Sequence, residues 1–67
     1  MMFENISRTE LSFLIEEWIH NERDRNIMRR RILDGIVYEK LAEEFELSVP
    51  QVKTIVYKNQ SKILKHM

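Results

Sequence analysis

Apolar positions recur at helical spacing along nearly the whole of this 67-residue chain. Leu11, Leu14, Ile15, Trp18 and Ile19 follow the i, i+3, i+4, i+7 pattern and leave Ser12, Glu16 and Glu17 outside, which predicts an amphipathic helix over 8–20. Ser7 and Glu10 have the spacing of a capping box at its start, and Ile6 can staple onto Leu11. A second helix over 22–34 is predicted from a cap at Asn21, Asp24 in the first turn, and an apolar side of Ile27, Met28, Ile32 and Leu33. Gly35, the chain's single glycine, should end it, because glycine enters a left-handed cap without steric cost. Leu41, Ala42 and Phe45 share one face of a short third helix over 37–45. Glu46 and Leu47 make the connection. Ser48 then opens a second capping box with Gln51, with Pro50 tolerated in the first turn, and a fourth helix runs over 49–65. On it Val52, Ile55, Val56, Asn59 and Ile63 fall within an arc of roughly 100°, opposite Thr54, Tyr57, Lys58, Ser61 and Lys65. The expectation is one all-α, four-helix domain over residues 1–67, with Leu14, Trp18, Met28, Leu41, Phe45, Leu47, Val52 and Ile55 in a common core.

Two helices joined by about three residues cannot lie side by side, so the third and fourth should cross steeply as a helix-turn-helix over about 37–57. Ala42 is small where the second of them must pass close, and Leu47 can plug the core from the turn. The stretch from Glu22 to Leu64 also resembles region 4 of the bacterial housekeeping-type sigma factors. The likeness rests on the arginine and acid pairs before the second helix, Arg31, Gly35, Tyr38-Glu39, Leu41-Ala42-Glu43-Glu44-Phe45, Leu47-Ser48 and Val52-Lys53. It implies that the last helix enters the DNA major groove, that Ser48, Val49, Pro50, Gln51, Lys53 and Thr54 face DNA, and that neighbouring surface meets the RNA polymerase flap or an activator. The chain departs from that pattern at three places. Glu46 stands where the family usually has glycine, so the turn either accepts strain of about 1 kcal/mol or bends differently. Val37 replaces a threonine cap, and Val49 and Pro50 replace residues that read bases, so no promoter sequence carries over. With no room for a promoter-melting module, a stand-alone domain is expected.

Charge changes the picture. Eleven basic and eleven acidic residues cancel, which by itself argues against a nucleic-acid partner. The charges are sorted by element, however: residues 1–20 carry net −3, 21–35 net +2 and 36–48 net −3, while 49–67 hold Lys53, Lys58, Lys62 and Lys65 with no acid. Gln51, Lys53 and Thr54 are the candidates for reading bases: Gln pairs with adenine, Lys with guanine, and the Thr methyl meets thymine. Tyr57, Lys58 and Lys62 suit phosphates. The competing reading of all six is an ordinary solvated face. Arg29, Arg30 and Arg31 are consecutive and must point in three directions. Arg31 either pairs with Glu39 or contacts phosphate, and Arg30 is free to reach DNA or a partner.

Other chemistry finds little support. There is no cysteine, His20 and His66 are far apart, Glu43 and Glu44 diverge on a helix, and no glycine loop can cradle phosphate, so neither an enzyme nor a metal or cofactor site is expected. No apolar run reaches membrane-spanning length and the start lacks a signal-peptide pattern, which predicts a cytoplasmic protein of bacterial or phage type with no membrane partner. The expected function is sequence-specific binding of double-stranded DNA in transcription regulation. A single recognition helix reads only a few base pairs, so a second contact is expected too, either another copy of the chain or RNA polymerase. Phe13, Leu64, Met2, Phe3 and Met67 are the apolar residues left over for it. The alternative is a sigma-like protein-interaction module that binds polymerase or another regulator without binding DNA, which net neutrality favours.

Overall fold

Four helices and no strand account for residues 6–66, the part of the chain that the computed structural model describes. Met2, Phe3 and Met67 lie outside those residues. The helices are α1 (Arg8–Trp18), α2 (Glu22–Met28, continued by a π-helical stretch over Arg29–Leu33), α3 (Tyr38–Glu44) and α4 (Val49–Lys65). The radius of gyration is 11.2 Å, close to the roughly 11 Å of a compact chain of this length.

The Ser7 and Asn21 caps form, and of the Ser7–Glu10 capping box the hydroxyl half is made. The Ser7 hydroxyl accepts from the Glu10 amide at 3.1 Å, and the Asn21 side chain accepts from the Asp24 amide at 3.1 Å. α1 stops at Trp18 rather than at residue 20, because Ile19 turns extended, with φ −111 and ψ 110. No basic residue stands in the last turn of α1. Arg25 of α2 supplies the charge instead, donating from Nη2 to the Glu16 carbonyl at 3.1 Å and from Nε to the Ile19 carbonyl. Carbonyls at a helix end lack intrahelical donors, so this one guanidinium ties the two helices together.

The second helix is not α-helical to its end. Ile27 and Met28 are followed at five-residue spacing by Ile32 and Leu33, a separation that would swing the second pair off the core in an α-helix. Widening the turn to π geometry, with the Asp34 amide on the Arg29 carbonyl at 3.3 Å, packs both, half-buried, against the core. Gly35 ends the helix with φ 68, as expected.

Leu11, Ile15, Ile19, Ile27, Met28, Leu41, Ala42, Val52, Val56 and Ile63 form the buried core. Of the expected core residues, Leu14, Phe45, Leu47 and Ile55 are only half-buried against it. Trp18 is half-buried as well, and stacks on His66 with ring centroids 3.5 Å apart, so its indole closes the junction between the ends of α1 and α4 rather than filling the interior. Phe13 and Leu64 are exposed. Among the described residues no helix is long and apolar enough to cross a membrane.

Candidate nucleic-acid interface

The connection between α3 and α4 decides how α4 is presented. The Glu46 amide donates to the Glu43 carbonyl at 3.4 Å and the Leu47 amide to the Ala42 carbonyl at 2.9 Å, the pairing that closes a helix through a left-handed residue. That residue is Glu46, at φ 55. Of the two outcomes open to a non-glycine there, the chain accepts the strained conformation and does not re-route the turn. Val37, at the start of α3, makes no side-chain cap.

α4 is fastened at its start by the complete capping box: the Ser48 hydroxyl accepts from the Gln51 amide at 3.3 Å, and Gln51 Oε1 accepts from the Ser48 amide at 2.8 Å. Pro50 lies in the first turn, where its missing N–H is no loss. Val52, Val56, Asn59 and Ile63 are buried. Thr54, Tyr57, Lys58, Ser61 and Lys65 are exposed, as the helical wheel predicts, and so are Ser48, Pro50, Gln51, Lys53 and Lys62, while Val49 is half-buried. Among the described residues none of Lys53, Lys58, Lys62 and Lys65 has a carboxylate partner within salt-bridge distance. Lys62 and Lys65 also stand in the last turn of α4, where cations suit the helix dipole.

Two of the base-reading candidates are already engaged. Reading adenine takes both the oxygen and the nitrogen of a Gln amide, but the Gln51 oxygen holds the capping box, so that contact requires the box to open. Thr54 Oγ1 donates to the Pro50 carbonyl at 3.0 Å, which leaves its methyl as the group it can offer. Lys53 Nζ lies 5.7 Å from the centre of the Tyr38 ring, and Tyr57, 56% exposed, meets the same ring edge-on at 6.3 Å. Tyr38 therefore backs the face, a role the sequence did not signal because a tyrosine at a helix start has no distinctive spacing.

The arginines depart from expectation. Arg30 is not free: its Nε donates to Glu44 Oε1 at 3.1 Å, Nη2 to Glu44 Oε2, and Nη1 lies 3.6 Å from Asp34 Oδ2. This fork on Glu44, chiefly through its hydrogen bonds, holds the Glu44 carboxyl below the usual carboxylate range and raises Arg30. Arg31 does not pair with Glu39. Its Nη1 donates to the Ile36 carbonyl at 3.0 Å, and its guanidinium lies 4.2 Å above the Tyr38 ring, because the π-helical turn aims it at the loop rather than at α3's outer face. Arg29 pairs with Glu16 on α1. The three arginines thus point to three different partners, as consecutive residues must.

What the sequence reading missed is a buried polar bridge. Asn59, on the apolar arc of α4, donates from Nδ2 to Asp24 Oδ2 at 3.2 Å and to the Ile55 carbonyl at 2.8 Å. A polar residue within an apolar stripe is the signal that could have found it, since a buried amide needs a partner. No buried side-chain polar atom among the described residues lacks one. Nor do they contain a cluster of His, Asp or Glu fit for a metal ion. No protein-family model matches this chain, and no curated protein or solved structure does either, so what the site can do rests on the geometry just described.

Proposed function

We propose that this protein binds double-stranded DNA as a transcription regulator, with α3, the Glu46 turn and α4 acting as a helix-turn-helix of the sigma region 4 type. The observation that carries the reading is the outward face of α4: four lysines with no carboxylate partner among the described residues, on a helix fixed at its start by a complete capping box. A rigid, one-sidedly cationic helix with no acidic residue suits the major groove and the phosphates on its edges. Lys53 and the Thr54 methyl are the base contacts. Tyr57, Lys58 and Lys62 hold phosphates, and Ser48, Val49 and Pro50 lie against the groove edge. Gln51 serves first as a cap, and Arg30 and Arg31 fix the scaffold that carries α4.

Binding of mixed-sequence duplex DNA, followed by fluorescence anisotropy at low salt and then across a salt series, tests this. Lys58→Ala and Lys62→Ala should each reduce the salt slope by about one and weaken all sequences alike. Absence of any duplex binding at about 50 mM salt would refute it.

A second reading is a sigma-like module that binds RNA polymerase or another regulator without touching DNA. Phe13, 63% exposed, favours it, since it borders a groove between α1 and Leu33. Such a surface also suits a second copy of the chain. Sedimentation at tens of micromolar with and without DNA, and a pull-down on purified polymerase, separate these partners.

A further inference from the structure

The buried bridge between α2 and α4 ends on a cation. Asp24 has 9% of its side chain exposed although it stands in the first turn of α2. Its Oδ2 takes the Asn59 amide, and its Oδ1 accepts from Arg23 Nε at 3.4 Å and Nη2 at 3.3 Å. Because Asn59 is itself fixed to the Ile55 carbonyl, the carboxylate is held in register with α4 and the guanidinium is held by the carboxylate. Arg23, 50% exposed, then lines an open groove with Leu47, Pro50, Gln51, Thr54 and Ile55. Those five residues belong to the turn before α4 and to its first two turns. Among the described residues no acid lines the groove. A guanidinium has five N–H donors, and those not used on Asp24 have no protein partner among the described residues.

We propose that Arg23 is a phosphate contact for the duplex bound by α4, and that Asp24 and Asn59 are positioning residues that hold it at the groove. This rests on the DNA-binding reading above. A guanidinium suits a phosphate oxygen pair through its planar fork, and its place beside the start of α4 puts the contact on the backbone flanking the bases that Lys53 and Thr54 reach. An ordinary surface pair would leave both side chains mobile. Here the acid is buried and tied to a second helix.

The test compares wild type, Arg23→Gln, Arg23→Lys, Asp24→Asn, the Arg23→Gln/Asp24→Asn double variant and Lys58→Ala on one mixed-sequence duplex across a salt series. Each phosphate contact contributes a slope of about −0.9, so Arg23→Gln should shrink the fall in affinity between about 50 and 200 mM salt by about threefold, and Arg23→Lys should restore it. Asp24→Asn separates positioning from charge. Removing an acid should tighten DNA binding if only charge matters. If Asp24 aims Arg23, binding weakens despite the added positive charge, and the double variant is no worse than Arg23→Gln alone. The Arg23 variants alter a half-exposed side chain and keep the fold, so they carry the test even if Asp24→Asn melts. An unchanged slope in Arg23→Gln, beside a reduced one in Lys58→Ala, overturns the inference and leaves DNA binding by α4 intact. A wild type that binds no duplex overturns both. Tighter binding by Asp24→Asn overturns the positioning role.

Discussion

Replacing Asn59 by alanine tests the polar bridge as an element of stability. The amide makes two hydrogen bonds, 3.2 Å to the buried Asp24 carboxylate and 2.8 Å to the Ile55 carbonyl. Ile55 still has the α4 backbone, so losing the second bond costs little. A hydrogen bond to a charged group is worth about 1.5–3 kcal/mol, and removing the donor leaves a carboxylate oxygen desolvated with nothing in return. A small void adds to this. The expected loss is about 2–3 kcal/mol, a large share of the roughly 3–10 kcal/mol that a domain of this size can hold. At about 4–8 °C per kcal/mol, the melting temperature should fall by about 10–20 °C. Far-ultraviolet circular dichroism reports helix loss. Fluorescence of Trp18, the chain's single tryptophan, reports the α1–α4 junction where it stacks on His66, and coincidence of the two transitions checks two-state unfolding. The Asp24→Ala/Asn59→Ala double variant should cost at least about 1 kcal/mol less than the two single changes together, because each single change already breaks the shared bond. Additivity within about 0.5 kcal/mol would refute the bridge.

Glu46→Gly should stabilise the protein by about 0.5–1 kcal/mol, since relief of a left-handed conformation outweighs the greater freedom of glycine in the unfolded chain; a lower melting temperature would count against the strained turn. Glu44 is held below the ordinary carboxylate range by Arg30, so its stabilising effect is complete at neutral pH and is lost as pH falls through its lowered folded-state value. The melting-temperature gap between wild type and Glu44→Gln should therefore close on acidification, and a gap that widened would reverse the assignment. Gln51→Ala removes one half of the α4 capping box and should cost about 0.5–1 kcal/mol by thermal melting. If it shifts sequence preference on duplex DNA without that loss, Gln51 is a base reader and not a cap.

Helix existence was legible in the sequence because capping residues and apolar periodicity agree: Ser7, Asn21 and Ser48 each cap the helix that their spacing predicts. The π-helical stretch was not read from the sequence: a single helix over 22–34 puts Ile27, Met28, Ile32 and Leu33 on one side, although their five-residue interval does not fit one α-helical face. Side-chain partners were not legible. Whether Arg31 meets Glu39 or the Ile36 carbonyl depends on a widened turn that moves its Cα, and whether Arg30 is free depends on where Asp34 and Glu44 arrive in space. Of the candidate DNA face, the exposed arc of α4 followed from the helical wheel. The engagement of Gln51 and Thr54 with their own helix required coordinates, since one side chain can satisfy either a cap or a base.

Net neutrality takes on a different meaning once the pairs are known. Arg8, Arg23, Arg25, Arg29 and Arg30 each lie against a carboxylate, so the basic block of α2 and its π-helical extension is largely consumed within the fold. The lysines of α4 are not. Among the described residues Glu10, Glu17, Glu22, Glu39, Glu43 and Glu46 likewise have no cationic partner within salt-bridge distance, and they lie on α1, α2, α3 and the turn. A phosphate backbone approaching α4 and the adjoining Arg23 meets attraction, and one approaching α1 or α3 meets uncompensated carboxylates. On the proposed DNA-binding reading this uncompensated charge acts mainly at contact range, because interactions beyond about 10 Å are screened in physiological salt. Affinity for random duplex should be weak and steeply salt-dependent, and a second contact, from another copy or from polymerase, is what would turn such an encounter into a selective one.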